Sequence, residues 1–148
     1  MIRTWKKVFE SDYQNIVLEI KDLVLAPAVI YFEGNLGAGK TTFCKEFIAH
    51  FESHQSVSSP TYSLIHEYEK ILHADLYRLE NKDELIPLEI PVYLEEKDYF
   101  IIEWGERFHF SIEKYTPEEF KFFTLKLEIN PETQTGVASR NLILSKKD

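Results

Sequence analysis

Residues 34–41 read Gly34-Asn35-Leu36-Gly37-Ala38-Gly39-Lys40-Thr41, and they are the most informative segment of the chain. It fits the phosphate-binding pattern GxxxxGK[ST] at every fixed position. In this pattern, glycines let the backbone turn tightly around a polyphosphate and direct several N–H groups towards it. The lysine reaches the β- and γ-phosphates, and the Ser or Thr hydroxyl can ligate Mg²⁺. The stretch therefore predicts a phosphate site in which Lys40 contacts phosphate and Thr41 contacts a metal ion.

The residues on either side of the loop support this prediction. Before it, residues 28–33 form a short apolar run of β-prone residues, which is typical of a buried strand. After it, residues 42–51 place apolar side chains at positions 43, 44, 47, 48 and 51, which is helical spacing. The start of that helix adds the positive end of its dipole to the site. This order of strand, loop and helix favours a phosphate site over a glycine-rich turn that binds nothing.

Length and composition predict one domain over residues 1–148 with a single core. The hydrophobic fraction of 44% is ordinary for a globular protein. No stretch approaches the roughly 20 apolar residues of a membrane span, and no apolar segment of signal-peptide length follows the basic N-terminus. The single cysteine, Cys44, excludes an internal disulfide and is expected to be a packed thiol. We expect a cytoplasmic protein with no membrane partner.

The net charge of −8 limits the possible partners. Proteins that bind RNA or DNA directly usually have a basic surface. Here the 17 Lys and Arg residues form no cluster, and the 25 acidic residues are spread along the chain. Direct, tight binding of nucleic acid is therefore not expected, and a role near nucleic acid would require a basic partner.

Apolar patterning predicts the remaining helices. One helix is predicted over residues 13–23, with Ser11 or Asp12 as its cap. Its apolar face contains Ile16, Val17, Ile20 and Leu23. The acidic segment 80–97 contains two prolines and predicts short helices. Residues 114–119 predict the solvated start of a further helix, with the threonine at position 116 as N-cap and the proline after it at the first helical position.

The predicted strands assemble into a mixed sheet. Apolar runs predict strands over residues 2–9, 64–68, 71–75, 99–103, 122–129 and 140–144. The last two strands are expected to form a hairpin with a turn at 133–136, and the segment 56–63, rich in Ser, reads as a loop. The prediction is an α/β fold like that of phosphate-loop NTPases. Its sheet is parallel at the centre with an antiparallel hairpin at an edge, it is flanked by helices, and ligands bind at the carboxyl ends of its strands.

A phosphate loop of this kind needs a further acidic group, usually at the end of a neighbouring strand. Glu103 ends the apolar run 99–103 and is the first candidate for the metal. Asp75 ends another strand and could order the metal's water shell or the attacking water; its alternative role is to cap a turn. Trp104 follows Glu103 and is either a core residue or a platform that shapes the site.

Two other patterns carry little weight. Residues 81–84 approach the guanine-specifying pattern NKxD, but the last residue is Glu and no apolar strand precedes the run. His66, His73 and Asp75 could be imagined as a zinc site, but three such ligands on two strands are weak evidence.

With these features assembled, the chain resembles the bacterial TsaE family, also called YjeE. The matching motifs, in chain order, are the loop 34–41 with Thr42, Ser59-Pro60-Thr61-Tyr62, His73-Ala74-Asp75-Leu76-Tyr77-Arg78 and Ile102-Glu103-Trp104-Gly105-Glu106-Arg107. Arg140-Asn141 is similar to the start of the family's closing strand. The loop alone indicates an NTPase, whereas the ordered set indicates this family over nearly the whole chain.

The resemblance implies an ATPase subunit of the machinery that makes N6-threonylcarbamoyladenosine in tRNA, beside the anticodon. In that family the ATPase does not transfer the threonylcarbamoyl group. It binds the complex of TsaD with TsaB and uses ATP and Mg²⁺ to reset that complex between turnovers, so tRNA is contacted only indirectly. The acidic net charge agrees with this division of labour.

The resemblance also implies roles for individual residues. Lys40 contacts phosphates, and Thr41 with Glu103 holds Mg²⁺. Asp75 and Thr61 belong to a switch-like part of the site, so Lys40, Asp75 and Glu103 are the expected catalytic residues. The expected nucleotide-binding residues are Gly34, Asn35, Leu36, Gly37, Ala38, Gly39, Lys40, Thr41, Thr42, Thr61, Trp104 and Arg140.

Two other functions remain as alternatives. A small-molecule kinase would use the same loop, but such enzymes surround the transferred phosphate with several arginines. This chain has four arginines, namely Arg3, Arg78, Arg107 and Arg140. The second alternative is a non-catalytic nucleotide-sensing subunit, whose bound state controls a partner without turnover.

Overall fold

The structure is a computed structural model that describes residues 1–52, 64–131 and 136–148. Within these residues, seven strands form one sheet in the order β1-β7-β6-β2-β5-β4-β3. The strands are β1 (Arg3–Val8), β2 (Ala28–Glu33), β3 (Ile65–Glu67), β4 (Ile71–Asp75), β5 (Tyr99–Glu103), β6 (Lys121–Ile129) and β7 (Arg140–Lys146). All seven lie where apolar patterning predicts them.

The sheet is parallel at its centre and antiparallel at both edges. β2 pairs in parallel with β5 on one side and β6 on the other, and β4 extends the parallel block beyond β5. β6 and β7 form the predicted antiparallel hairpin, and β1 adds to β7 at the outer edge. β3 pairs antiparallel with β4 at the opposite edge. The predicted α/β fold with its mixed sheet is confirmed.

Helices cover both faces of the sheet because the central strands are apolar on both faces. The helices are α1 (Tyr13–Leu23), α2 (Lys40–Phe51), α3 (Ile90–Tyr93) and α4 (His109–Tyr115), and short 3-10 turns span residues 10–12, 82–88 and 106–108. On one face, Phe43 and Phe47 of α2 pack in a cluster with Ile30 and Phe32 of β2. On the other face, Val29 and Tyr31 of the same strand pack in a second cluster with residues of α3 and α4. The result is a three-layer arrangement in which β2 is buried from Ala28 to Phe32.

Two details of the predicted helices are wrong. Leu23 does not join the buried face of α1 and is 40% exposed, because the buried positions are one turn earlier and begin with Tyr13. The predicted helix start at 114–119 is instead a helix end. α4 stops at Tyr115, and the Thr116 hydroxyl donates to the carbonyl of Ile112 in its last turn rather than capping a new helix.

The cap of α1 is also different in detail. Asp12, one of the two predicted caps, is the residue directly before the helix. Its side chain makes no hydrogen bond to the helix. Its carboxylate accepts the N–H of Phe9 at 2.9 Å and so closes the short 3-10 turn that leads into α1. The short helices predicted for 80–97 are confirmed. The loop 56–63 and most of the turn 133–136 lie outside the described residues.

The topology brings the carboxyl ends of three parallel strands together. β2 leads into the phosphate loop and α2, β5 lies beside β2, and β4 lies beside β5. In register, Phe32 pairs with Glu103, and Glu103 pairs with Asp75. Parallel strands end at the same edge of a sheet, so the loop and both predicted acidic residues share one location.

Candidate nucleotide-binding site

The phosphate loop joins the end of β2 to the start of α2. Gly39, directly before the helix, has φ of 100°, a left-handed conformation that other residues rarely adopt. A Cβ atom on Gly34 would lie 2.7 Å from the carbonyl oxygen of Leu127, so the loop approaches β6 too closely for a side chain. α2 begins at Lys40. The unpaired N–H groups of its first turn therefore lie at the loop, where they favour an anion.

Lys40 is folded back into the loop. Its side chain is buried, its ammonium group donates to the carbonyl of Gly34, and Nζ lies 3.2 Å from the centre of the Trp104 ring. Burial lowers the pKa of Lys40, and neighbouring carboxylates, Glu106 first, act in the opposite direction. A partly desolvated cation whose partners are a neutral carbonyl and an aromatic face gains from a phosphate that replaces the carbonyl.

The two predicted metal ligands, Thr41 and Glu103, are in direct contact. Thr41 Oγ1 donates to Glu103 Oε1 at a distance of 2.6 Å. Thr41 lies in the first turn of α2, and Glu103 is the last residue of β5. A hydroxyl that gives its proton to a carboxylate keeps its lone pairs for a cation, and oxygen ligands of both kinds suit Mg²⁺. The donor set present therefore fits the predicted metal.

Glu103 is nearly inaccessible, and its second oxygen is also paired. Glu103 Oε2 lies 2.8 Å from His73 Nε2, and the side chains are 1% and 0% exposed. Among the residues that the structure describes, Cys44, His73 and Glu103 have ligand atoms within 4.8 Å of one another. Burial raises the pKa of the Cys44 thiol well above its usual range, and the Glu103 carboxylate raises it further. The thiol is therefore protonated and packed, as predicted, and a poor partner for Mg²⁺.

Asp75 ends β4 directly beside Glu103. Its Oδ1 accepts the N–H of Tyr77 at 3.0 Å, so it does cap a turn, which is the alternative that the sequence left open. Burial raises the pKa of Asp75, the Tyr77 N–H lowers it, and the Glu103 carboxylate raises it again. A half-buried carboxylate with a raised pKa is suited to accept a proton from water or to orient it. The structure thus allows both roles for Asp75.

Trp104 has a strained backbone. Its φ is 61°, in the left-handed region, which costs a bulky residue about 1 to 3 kcal/mol. The half-buried ring lies 5.0 Å from that of Tyr77, between centroids, and covers the Lys40 ammonium. It lines a cavity instead of joining either core cluster. Of the two roles suggested by sequence, the geometry favours the platform.

Arg140, the first residue of β7, reaches the phosphate loop from the other side. Its Nε donates to the carbonyl of Ala38 at 2.5 Å. A Cβ atom on Gly39 would lie 3.0 Å from the same nitrogen. Burial raises the pKa of the Tyr13 hydroxyl, and the nearby Arg140 charge lowers it. The guanidinium group is therefore held beside the phosphate loop, where it could contact an anion bound in the loop.

Two cavities meet at the loop. The first has a volume of about 270 Å³ and is lined by Leu36, Gly37, Ala38, Gly39, Lys40, Thr41, Thr42, Glu103, Trp104 and Arg140. The second, of about 340 Å³, is lined by Gly34 and Asn35 with Ala38 and residues 126–129 of β6. Most of the predicted site residues therefore line one or the other of these two cavities. Asp75 lies on the next strand and lines neither, and Thr61 lies outside the described residues.

Sequence reasoning missed the role of Arg107. Its guanidinium group donates to the carbonyls of Leu76, Tyr77 and Leu79 and so holds the turn that follows Asp75. Nothing in the spacing of the sequence reveals this contact, because Arg107 lies 28 residues or more from these partners. It fixes the segment that carries Asp75 against the segment that follows Glu103.

The two weaker sequence patterns form no ligand site in the described residues. Asn81 caps the 3-10 turn 82–88 through the N–H of Asp83, and Glu84 accepts the N–H groups of Glu80 and Asn81. The run 81–84 is therefore a capping motif. The His73 side chain lies at hydrogen-bond distance from Glu103. His66 is opposite His73 in the backbone register of β3 and β4.

A family model described as Threonylcarbamoyl adenosine biosynthesis protein TsaE matches residues 9–141, which include the whole site. The chain belongs to the TsaE family. The TsaE of Nostoc sp. is 33% identical over 120 residues, which cover 74% of both chains. The TsaE of Bacillus subtilis is 34% identical over 119 residues, which cover 76% of this chain and 72% of the relative. Both relatives are tRNA threonylcarbamoyladenosine biosynthesis proteins by name.

Other TsaE relatives match over a shorter stretch. The Haemophilus influenzae protein is 39% identical over 83 residues, and the chain spans 52% of its length.

Among solved structures, the crystal structure of Bacillus subtilis YdiB matches 95% of this chain and 82% of that chain, with a TM-score of 0.57 and 24% identity. This likeness supports the fold. Among the described residues, no helix is long and apolar enough to cross a membrane.

Proposed function

We propose that this TsaE family member is an ATPase subunit of the machinery that makes N6-threonylcarbamoyladenosine in tRNA, next to the anticodon. One observation carries the chemical part of the proposal. Thr41 and Glu103, which are 62 residues apart in sequence, meet at 2.6 Å beside an intact phosphate loop. Family membership supports the biological part.

ATP and Mg²⁺ are the proposed ligands. The loop N–H groups, Lys40 and Arg140 would face the phosphates, while the Thr41 hydroxyl and the Glu103 carboxylate would hold the metal. When bound, Mg²⁺ supplies positive charge that neutralises the β- and γ-phosphates. ATP is proposed over GTP because the run 81–84 acts as a capping motif and because the chain resembles an ATPase family.

Lys40 and Asp75 would act on the phosphate and on the attacking water. Lys40 exchanges the Gly34 carbonyl for phosphate oxygens while the Trp104 ring keeps its ammonium group in place. Asp75 orients the water, and its raised pKa suits it to accept a proton. Lys40 begins α2 and Asp75 ends β4, so both residues lie at the edge of the sheet where the parallel strands end.

The proposed partner is the complex of TsaD with TsaB, which hydrolysis of ATP would reset between rounds of tRNA modification. A net charge of −8 disfavours direct binding of tRNA, so tRNA is contacted indirectly, in the cytoplasm. The role of Thr61 in a switch-like segment remains a prediction from the family resemblance.

The two alternatives differ from this proposal in measurable ways. A kinase would need several arginines around the transferred phosphate. Of the four arginines, Arg140 lies at the loop, while Arg107 is engaged with backbone carbonyls. A nucleotide-sensing subunit would bind ATP without turnover. The position of Asp75 beside the metal ligand supports hydrolysis.

A reconstituted tRNA modification assay tests the proposal. Purified TsaD–TsaB complex is run over many turnovers with wild-type protein, with Lys40→Ala, or with no addition. We expect a first round of modification in all three and repeated rounds only with wild type. Lys45→Ala is the matched control, because Lys45 is exposed on the same helix. Equal multiple-turnover yield in all samples would contradict the proposal and favour the kinase.

A further inference from the structure

His73 is a buried histidine to which the proposed function gives no role. It lies on β4 two residues before Asp75, so both side chains point to the same face of the sheet. Ile71, on the same face, packs in the cluster that contains Phe43 of α2. The His73 ring is fully buried, and its Nε2 lies 2.8 Å from Glu103 Oε2. The ring is therefore packed between the helix and the strand that carry the proposed metal ligands.

The hydrogen bonds of Glu103 determine which nitrogen of His73 carries the proton. Glu103 Oε1 already accepts from Thr41, and an ionised carboxylate can only accept. Because the proposed metal site needs an ionised Glu103, we infer that His73 Nε2 donates to Oε2. Among the described residues Nδ1 has no partner, which suits a neutral ring protonated at Nε2, because a buried bare acceptor is tolerated more often than a buried unpaired N–H.

We propose that His73 is a positioning residue for the metal ligand Glu103. Its N–H holds Oε2, so that the carboxylate cannot rotate and Oε1 stays beside the Thr41 hydroxyl. The inference rests on the proposed function, since it requires that Thr41 and Glu103 hold the metal. Hydrogen-bond partners of metal ligands fix the ligand's orientation, and their loss typically weakens metal binding by about 10- to 100-fold.

The chemistry of a neutral histidine suits this task. A Lys or Arg at the same place would neutralise Glu103 and compete with the cation for its charge. A neutral N–H orients the carboxylate and leaves its charge available. Both side chains are at most 1% exposed, so water has no access to replace the donor. In this geometry, His73 supplies the orientation of the carboxylate, and Glu103 supplies the negative charge.

Binding of Mn²⁺ tests the inference without relying on activity. Electron paramagnetic resonance measures Mn²⁺ affinity in the presence of a non-hydrolysable ATP analogue. We expect His73→Leu to weaken Mn²⁺ binding by about 10-fold or more. The affinity of His73→Leu for the ATP analogue, measured without metal in the presence of a chelator, should equal that of wild type. His73→Gln, whose amide nitrogen can reach Oε2, should recover most of the affinity. The control His109→Leu removes another buried histidine, on the opposite face, and should leave Mn²⁺ affinity at the wild-type value.

A double-mutant cycle identifies the route of the effect. In a Glu103→Gln background, His73→Leu should cause no further loss, because the side chain that it positions has lost its charge. Wild-type Mn²⁺ affinity in His73→Leu, or a Gln variant no better than Leu, overturns the inference alone. Wild-type protein that fails to bind Mn²⁺ with the analogue overturns the proposed function as well. If His73→Leu does not fold, His73→Asn replaces it, since its amide is too short to reach Glu103.

Discussion

Thr41 Oγ1 lies 2.6 Å from Glu103 Oε1, and this contact ties the first turn of α2 to the end of β5. It exists because β5 lies beside β2, the strand that leads into the phosphate loop. The same hydroxyl and carboxylate that pair in the protein are the oxygens that a hard divalent cation prefers. The contact therefore links the fold to the proposed chemistry.

Lys40→Ala is expected to weaken ATP binding strongly and to abolish function in cells. Lys40 is the cation within the loop, and its burial against Trp104 leaves it few partners other than phosphate. Isothermal titration calorimetry measures the loss, with Lys45→Ala as the control from the exposed face of the same helix. Unchanged ATP affinity in Lys40→Ala would remove the loop as the binding site.

Glu103→Gln is expected to keep the fold and much of the ATP affinity but to stop hydrolysis. The amide retains the shape of the side chain and loses the charge that holds Mg²⁺. Hydrolysis is measured as phosphate release over a range of Mg²⁺ concentrations, and folding by thermal denaturation. Turnover near that of wild type would show that another acid holds the metal. Asp75, next in register, is then tested as Asp75→Asn.

ATP binding is expected to change the fluorescence of Trp104. Its ring covers the Lys40 ammonium and lines the loop cavity, so ATP that engages Lys40 alters its surroundings. The chain has two tryptophans, and the other, Trp5, is hydrogen-bonded to Glu19 through its indole nitrogen. Titration with ATP should change emission in wild type and in Trp5→Phe, and not in Trp104→Phe. A response that survives in Trp104→Phe and vanishes in Trp5→Phe would contradict this geometry.

How much of this site the sequence predicts depends on the range of each contact. The loop, the strand before it and the helix after it follow from local pattern, and so does the placement of Glu103 and Asp75 at strand ends. The alternation of side chains along β4 also puts His73 on the same face of the sheet as Asp75. Local pattern therefore predicts the elements and the acidic edge of the sheet.

Contacts between distant segments are beyond that pattern. The bonds of Arg107 to three carbonyls and of Arg140 to Ala38 depend on how loops pack after the sheet has formed. The Thr-Pro pair within residues 114–119 matches a helix start, yet α4 ends at Tyr115 and the Thr116 hydroxyl donates back to the carbonyl of Ile112. Tertiary packing decided between two local structures that the same residues permit.

Acid is expected to destabilise the protein partly through His109. Burial lowers the pKa of His109 below its ordinary value of 6.5, and Lys147 lowers it further while Glu113 raises it. Burial raises the pKa of the Tyr31 hydroxyl, which lies 2.9 Å from His109 Nδ1 and can donate to it when the ring is neutral. The folded state thus prefers the neutral ring. This contribution to stability is complete above pH 6.5 and is lost as the pH falls through the lowered pKa.

The variant His109→Asn measures that contribution. The amide oxygen of Asn can still accept the Tyr31 hydroxyl but does not titrate. The free energy of unfolding, from urea denaturation, should fall less in the variant than in wild type between about pH 7 and about pH 5. An identical fall in both proteins would show that His109 does not contribute to acid sensitivity.

The rate of ATP hydrolysis, measured for the isolated protein and with the TsaD–TsaB complex, decides whether this protein is an ATPase. We expect slow, Mg²⁺-dependent hydrolysis by the isolated protein, a higher rate when the complex is added, and no hydrolysis by Glu103→Gln in either case. A wild-type rate that is zero under both conditions, despite ATP binding, would contradict the ATPase and leave a nucleotide-sensing subunit.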